Sequence, residues 1–418
     1  MSEPLETTRL RLGFIPLNDC APLAVAAEKG LFEAEGLSVS LSREASWANI
    51  RDKVAVGLLD GAHMLGPMPV AASLGVGGEV TAMIAPMALN LNGSAITVSR
   101  AVAEAMRAVD PQGMAARPRS ARPLKALIEA RRGRGEAALT FAVVFPYSIH
   151  NYELRYWMAA AGVDPDRDVR LVVLPPPRMA GALKAGDIDG FCVTAPWNGL
   201  AVAEGTGEVM TFASEWWGMG PDKVFGLTRA WAERHPASLQ ALLRALLRAA
   251  AWADAPDNRA ELAALLARPA YVDAPEAVVR LSLVGPMPYA AGEAAADSRD
   301  YLVFHRNCAS FPWRSHALWF ASQMVRWGQA GEDLDFAAAA AVYRPDLFRT
   351  AAAAVGQPAP LADLKTEGTH AAPWRLETTG GAVDMAPDRF LDGGRFDPAQ
   401  PLDYVRGFSI RRRQAPVF

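Results

Sequence analysis

The stretch "SWANIRDKVAVGLLDGAHMLGPMP", Ser46–Pro69, decides the fold. Ser46 is a good N-cap for a helix opening at Trp47. Asp60 and Gly61 make a turn, "AHML" follows as a short apolar strand, and Gly66, Pro67 and Pro69 crowd behind it. The pattern occurs twice. "GLLDGAHMLGPMP" (Gly57–Pro69) matches "GDIDGFCVTAPWN" (Gly186–Asn198), with Gly57, Asp60, Gly61 and Pro67 aligned on Gly186, Asp189, Gly190 and Pro196 at one offset of 129 residues. At the same offset the strand "LRLGFIP" from Leu10 faces "LTFAVVF" from Leu139.

Each half therefore runs strand, loop, helix, strand, loop, helix, turn, strand, loop. Alternating strands and helices predict an α/β fold with a parallel sheet in each half. In such sheets the loops at the carboxyl ends of the strands line the ligand crevice. The Pro- and Gly-rich segments after "HML" and "FCV" are such loops, one from each half, and they are expected to face each other across a cleft.

A chain of 418 residues has room for two or three domains. With 51% hydrophobic and 21% charged residues it reads as globular rather than disordered. A net charge of −3 sets up no global field for nucleic acid. The local basic run Arg117, Arg119, Arg122, Lys125, Arg131, Arg132 and Arg134 has two readings, a solvated helix or a docking surface for an acidic partner. Apolar runs such as "ASLQALLRALLRAAAWADAP" are Ala-rich and broken by charge, so they predict amphipathic or buried helices, not membrane spans. Cys20, Cys192 and Cys308 are odd in number and widely spaced, as free thiols are. "MSEPLETTRLRLGFIP" has acidic residues where a signal peptide needs basic ones, which predicts a cytoplasmic protein.

No nucleophile elbow, P-loop, dinucleotide fingerprint or HExxH motif occurs, and no carboxylate pair stands out as an acid/base dyad. His63, in a strand, and His316, in "FPWRSHALWF", are expected to pack structurally. Anion-binding features are better represented. The helix at Trp47 offers free backbone N–H groups, and Trp47 adds an indole donor and an apolar wall. His150 sits at a loop-to-helix junction in "FPYSIHNYELRYW", Arg178 lies before another helix in "PPPRMAG", and Lys223 lies in "MGPDKVFGL" near the return to the first half.

At these motifs the chain resembles the nitrate- and bicarbonate-binding family of NrtA, CmpA and NasS. "REASWANIRDKVAVGLLDGAHMLGPMP", "FPYSIHNYELRYW", "VVLPPPRM", "DGFCVTAPWN", "FPWRSHALWFASQMVRWG", "YRPDLFRTAAAAVG" and "LDGGRFDPAQPLDYVRGFSI" carry the match, from Leu10 to Ile410. The resemblance implies a two-lobed, periplasmic-binding-protein-like (type II) α/β fold with parallel-rich sheets. The expected divisions are 8–97 and 226–330 for lobe one, 98–225 for lobe two, and 331–418 for a C-terminal extension wrapping the body.

The resemblance also implies a pocket of Trp47, Ser94, His150, Arg178, Thr194 and Lys223. Ser94 stands where transporter-type members carry a glutamine, and Arg178 replaces a common glutamine. Thr194 stands at a small-residue position. Lysine at position 223 is the nitrate-binder's residue, where bicarbonate binders have an acid that recruits calcium; no metal or cofactor is therefore expected. The implied function is a cytoplasmic nitrate or nitrite sensor, similar to NasS, that releases a NasT-type RNA-binding antiterminator without itself touching nucleic acid or membrane. The alternative is the binding component of a nitrate ABC transporter. An enzyme on the same fold would need a nucleophile or cofactor motif that the sequence lacks.

Overall fold

A computed structural model describes residues 4–293 and 299–412. Residues 1–3 of the acidic N-terminal stretch, 294–298 within 226–330, and 413–418 of the extension lie outside the described residues. The strands in chain order are β1 (Arg9–Phe14), β2 (Ser38–Arg43), β3 (Gly61–Leu65), β4 (Met83–Ala88), β5 (Leu91–Asn92), β6 (Ser94–Ser99) and β7 (Thr140–Val143). They continue with β8 (Arg170–Val173), β9 (Gly190–Thr194), β10 (Gly207–Phe212), β11 (Lys223–Thr228), β12 (Leu302–Val303), β13 (Trp374–Thr378) and β14 (Gly381–Met385).

Two five-stranded sheets form the two lobes, in the orders β2-β1-β3-β11-β4 and β10-β6-β9-β7-β8. Each has a parallel three-stranded half, β2-β1-β3 or β9-β7-β8, extended by antiparallel strands. The internal repeat is a repeat of register. Leu12 pairs with Gly61 and Gly13 with Ala62, while Phe141 pairs with Gly190 and Ala142 with Phe191, at the same offset of 129.

The repeated Asp has one job in both copies. Asp60 Oδ2 accepts the Arg11 N–H at 2.7 Å, and Asp189 Oδ2 accepts the Thr140 N–H at 2.7 Å. In return the Asp60 and Asp189 N–H groups donate to the Arg11 and Thr140 carbonyls. The acidic side chain thus satisfies a strand N–H one residue before the pairing with β3 or β9 begins. The repeated Gly is a packing residue, because a Cβ on Gly61 or Gly190 would stand 2.5 or 2.6 Å from the ring of Phe225 or Phe141.

The lobe boundaries differ from those expected. β6 straddles residues 97 and 98 but lies wholly in the second sheet, and β11 begins at Lys223 in the first sheet. The chain therefore crosses between lobes at residues 89–93 and 213–222. Left-handed backbone at Asn92 (φ 59°) and Gly93 (φ 98°) turns the first crossing. Asn92 also ties the two crossings together: its Nδ2 donates to the Gly218 carbonyl at 3.0 Å, and its Oδ1 accepts the Gly220 N–H at 3.0 Å. β5 pairs there with β12.

Residues beyond β11 are largely helical. Helix Pro236–Asp254 buries its leucines on the first lobe, and no helix among the described residues is long and apolar enough to cross a membrane. Helix Arg314–Arg326 is buried along its length except at its first residue, with Trp319 packed against Trp216 and Trp217. The segment after it touches both lobes. The Tyr343 hydroxyl donates to the Gly66 carbonyl at 3.0 Å, the Leu391 N–H donates to the Trp216 carbonyl at 2.7 Å, and the Tyr156 hydroxyl donates to Asp392 Oδ2 at 2.9 Å.

The basic run is largely ion-paired. Arg117 pairs with Glu293 at 2.6 Å, Arg122 with Asp110 at 2.8 Å, Arg131 with Glu136 at 2.8 Å and Arg132 with Asp168 at 2.7 Å. Arg119 is buried, donating to the Met114 and Val209 carbonyls.

Removing either repeated carboxylate leaves a strand N–H without its charged acceptor. We expect Asp189→Ala and Asp60→Ala each to cost about 1.5–3 kcal/mol in urea unfolding. The two sites lie in different sheets, so the double variant should lose the sum.

Candidate functional site

The site is built where strand ends of both sheets meet. β3 and β9 end at Leu65 and Thr194, and antiparallel β11 begins beside Leu65, so Lys223 starts at that same end. From lobe one come Asp19, in the turn after β1, and Trp47, the first residue of a helix capped by Ser46 (Oγ accepting the Asn49 N–H at 3.2 Å). From lobe two comes His150, in the first turn of helix Ile149–Ala160, which Ser148 caps in the same way (3.1 Å from the Asn151 N–H). Main-chain contacts across the lobes hold these parts together: the Asn18 N–H donates to the Ala195 carbonyl at 2.9 Å.

Lys223 is fully buried, and its three ammonium protons have three acceptors. They are Asp19 Oδ2 at 2.8 Å, Asp222 Oδ1 at 2.5 Å and Thr194 Oγ1 at 2.9 Å. The Nζ lies 5.7 Å from the centre of the Trp47 ring. Thr194 has one hydroxyl proton and gives it to Asp222 Oδ2 at 2.9 Å. Its remaining capacity is as acceptor, so the 2.7 Å contact with His150 Nε2 is an N–H donation from the imidazole. Asn90 Nδ2 completes Asp222 at 3.2 Å. On the far side of Asp19, His63 Nε2 stands 2.9 Å from Oδ1, while His63 Nδ1 accepts the Ile15 N–H at 3.4 Å.

These contacts set the charges. Burial alone would raise the Asp19 carboxyl, but the Lys223 ammonium and His63 beside it hold it well below the usual carboxylate range. Burial disfavours the Lys223 ammonium, and Asp19 and Asp222 outweigh that and raise it. Burial, with Asp19 nearby, pushes Asp222 up against the pull of Lys223. Burial and Lys223 keep His150 well below the ordinary histidine range, so the ring is neutral.

Of the six residues expected in a pocket, Trp47, His150, Thr194 and Lys223 are brought together. Ser94 is buried and registered opposite Thr194, yet its hydroxyl is committed to Glu153 Oε2 at 2.5 Å. Arg178 is exposed in the short turn Pro176–Arg178 and takes no part in the buried hydrogen-bond group. Sequence reasoning missed Asp19, Asp222, Asn90 and Glu153. Asp222 adjoins Lys223 in the chain, and Asp19 lies in the loop after the first strand, so both occupied legible positions. His63 and His316 do pack, but each faces a carboxylate: Asp19 in one case, Glu367 at 3.4 Å in the other.

Glu153 is a second buried carboxyl, three residues along the helix from His150. It accepts from Ser94, from the Trp216 indole at 2.6 Å and from the Cys192 thiol at 3.4 Å. Burial outweighs these donors and, with Asp222 near, pushes it up to about 7. An acid raised in the folded state stabilises it below the unfolded value, and that stabilisation is lost as pH rises through about 7. A neutral amide has no such loss. Relative to the parent, Glu153→Gln should gain up to about 3 kcal/mol as pH rises from 4.5 to above 7, read from paired urea melts. Opposite slopes from histidines buried neutral are common to both proteins and cancel.

Comparisons with known proteins give the family and the fold. The NMT1-like family profile matches residues 3–267. "Nitrate import ATP-binding protein NrtC" of Synechocystis sp. is 36% identical over 414 residues, covering 98% of this chain but 56% of that protein's length. "Nitrate/nitrite binding protein NrtA" of Nostoc sp. is 31% identical over 414 residues, covering 98% of this chain and 87% of that one. The crystal structure of the periplasmic nitrate-binding protein NrtA from Synechocystis PCC 6803 superposes with a TM-score of 0.85 at 29% identity, covering 98% of this chain and 100% of that chain. The two-lobed α/β fold is that of a periplasmic binding protein, and by sequence the chain belongs to the NMT1-like family.

Proposed function

We propose that this protein binds nitrate or nitrite between its lobes and serves as the solute-binding component of an import system. The observation that carries the reading is the joining of Trp47, His150, Thr194 and Lys223, drawn from both lobes, at one buried junction. The near full-length likeness to NrtA supports it. Nitrate is a planar monoanion whose oxygens only accept hydrogen bonds. It is served by fixed donors in a dry site, where each charge-assisted bond is worth more than in water. The Trp47 indole nitrogen is buried with no partner among the described residues, a free donor of the kind such an ion needs. Lys223 supplies the local cation.

The expected sensor role, with release of a NasT-type antiterminator, uses the same ligand. The relatives compared above are named as binding and import proteins, which favours transport.

Calorimetric titration of the full chain with nitrate, nitrite, bicarbonate and sulfate tests the reading. Nitrate or nitrite should bind most tightly, and Trp47→Phe should weaken that binding about tenfold or more, since it removes one donor to a charged ligand. The buried ring is kept, so the melting temperature should move little. Equal affinity in parent and variant, or preference for sulfate, would overturn the assignment.

A further inference from the structure

The buried group at the lobe junction has one lysine for two carboxyl groups. Asp19 and Asp222 both face the single ammonium of Lys223. His63 faces Asp19 Oδ1 through Nε2 at 2.9 Å and takes the Ile15 N–H on Nδ1 at 3.4 Å. Glu153 and Cys192 are hydrogen-bonded to each other, and Tyr301, near both, is buried with burial raising its hydroxyl. Cys20, next to Asp19, is a buried thiol that burial pushes up. Adding a monoanion to this group would bury one more negative charge with no cation of its own, which a dry site strongly disfavours.

The hydrogen-bond inventory shows where compensation enters. Asp19 Oδ1, Asp19 Oδ2 and His63 Nε2 are engaged only as ion pairs; among the described residues, the two polar atoms of this group with neither a hydrogen-bond nor an ion-pair partner are the Trp47 indole nitrogen, a donor, and His150 Nδ1. Because Thr194 must accept from His150 Nε2–H, Nδ1 of the neutral ring is a bare acceptor. An oxyanion without a proton of its own cannot bond to it. Protonation changes that. A proton from solvent adds to Nδ1, the new N–H donates to an anion oxygen, and Nε2–H keeps Thr194.

We propose that this protein takes up one proton with each nitrate or nitrite ion, and that the proton resides on His150 Nδ1. The inference rests on the nitrate reading above. Proton and anion enter together, so the charge of the buried group is unchanged by loading. The neutral state of His150 in the unloaded protein, kept by burial and by Lys223, makes the proton a net uptake near neutral pH. Asp222, 4.0 Å from Nε2, and Asp19 favour the imidazolium once it forms.

The test is titration of the full chain with sodium nitrate at pH 7.5 in buffers of different ionisation enthalpy. The observed heat should vary with buffer enthalpy with a slope near one proton taken up, and affinity should fall about tenfold per pH unit as pH rises. His150→Asn places an amide donor where Nδ1 stands without titrating, so nitrate binding should become flat with pH and independent of buffer. Nitrate binding with zero slope in the parent would overturn this inference and leave the nitrate reading intact. Proton uptake persisting in His150→Asn would remove His150 as its seat. No nitrate binding by calorimetry or equilibrium dialysis would overturn both.

Discussion

Three charges set the terms for this protein: one ammonium, from Lys223, held between the carboxylates of Asp19 and Asp222 where no solvent reaches. Ionised groups taken out of water are stable only when each finds its partners with good geometry. That requirement fixes the surroundings. Asp19 must come from the turn after β1, Lys223 from the first residue of β11, and Thr194 from the last residue of β9. The two lobes are therefore not independent units that happen to touch. The first sheet owns the lysine, and the second sheet supplies the hydroxyl that takes its third proton.

The residues beyond β11 reinforce the same junction from outside. Helix Arg314–Arg326 carries Trp319 into a cluster with Trp216, Trp217 and Phe390, next to the second crossing between lobes. Arg326 is buried at its end with its guanidinium 3.4 Å from the centre of the Phe408 ring and 4.9 Å from that of Tyr156. A cation stacked on aromatic faces tolerates burial better than a bare one. Through Phe390 and Phe408 the extension joins the core of the molecule, and Phe390 packs on Trp216, whose indole donates to Glu153.

Much of this could be read in one sequence because the repeat carries its physics in short range. The Asp-Gly pairs predict the strand registers since each Asp bonds to a strand N–H 49 residues earlier in both copies. Trp47, His150, Thr194 and Lys223 sit in motifs whose resemblance to known proteins located them. The failures have physical causes. Ser94 has the right address, but the acid three residues after His150 captures its hydroxyl. Nothing in "SAITVS" says which sheet the strand joins, so the lobe boundary went astray; Asn92-Gly93, with two left-handed residues, was the available signal. Asp19 pairs with a residue more than two hundred positions away, and local pattern carries no trace of that contact.

Asn92 links the two crossing segments through both ends of its amide, while its main chain is held in β5 against β12. One side chain thus joins the two places where the backbone passes from lobe to lobe, and the register of either crossing is set by the other. Each lobe carries its share of the site at a fixed offset from that knot, so a slip of one residue in either crossing would move Thr194 or Lys223 off its partner.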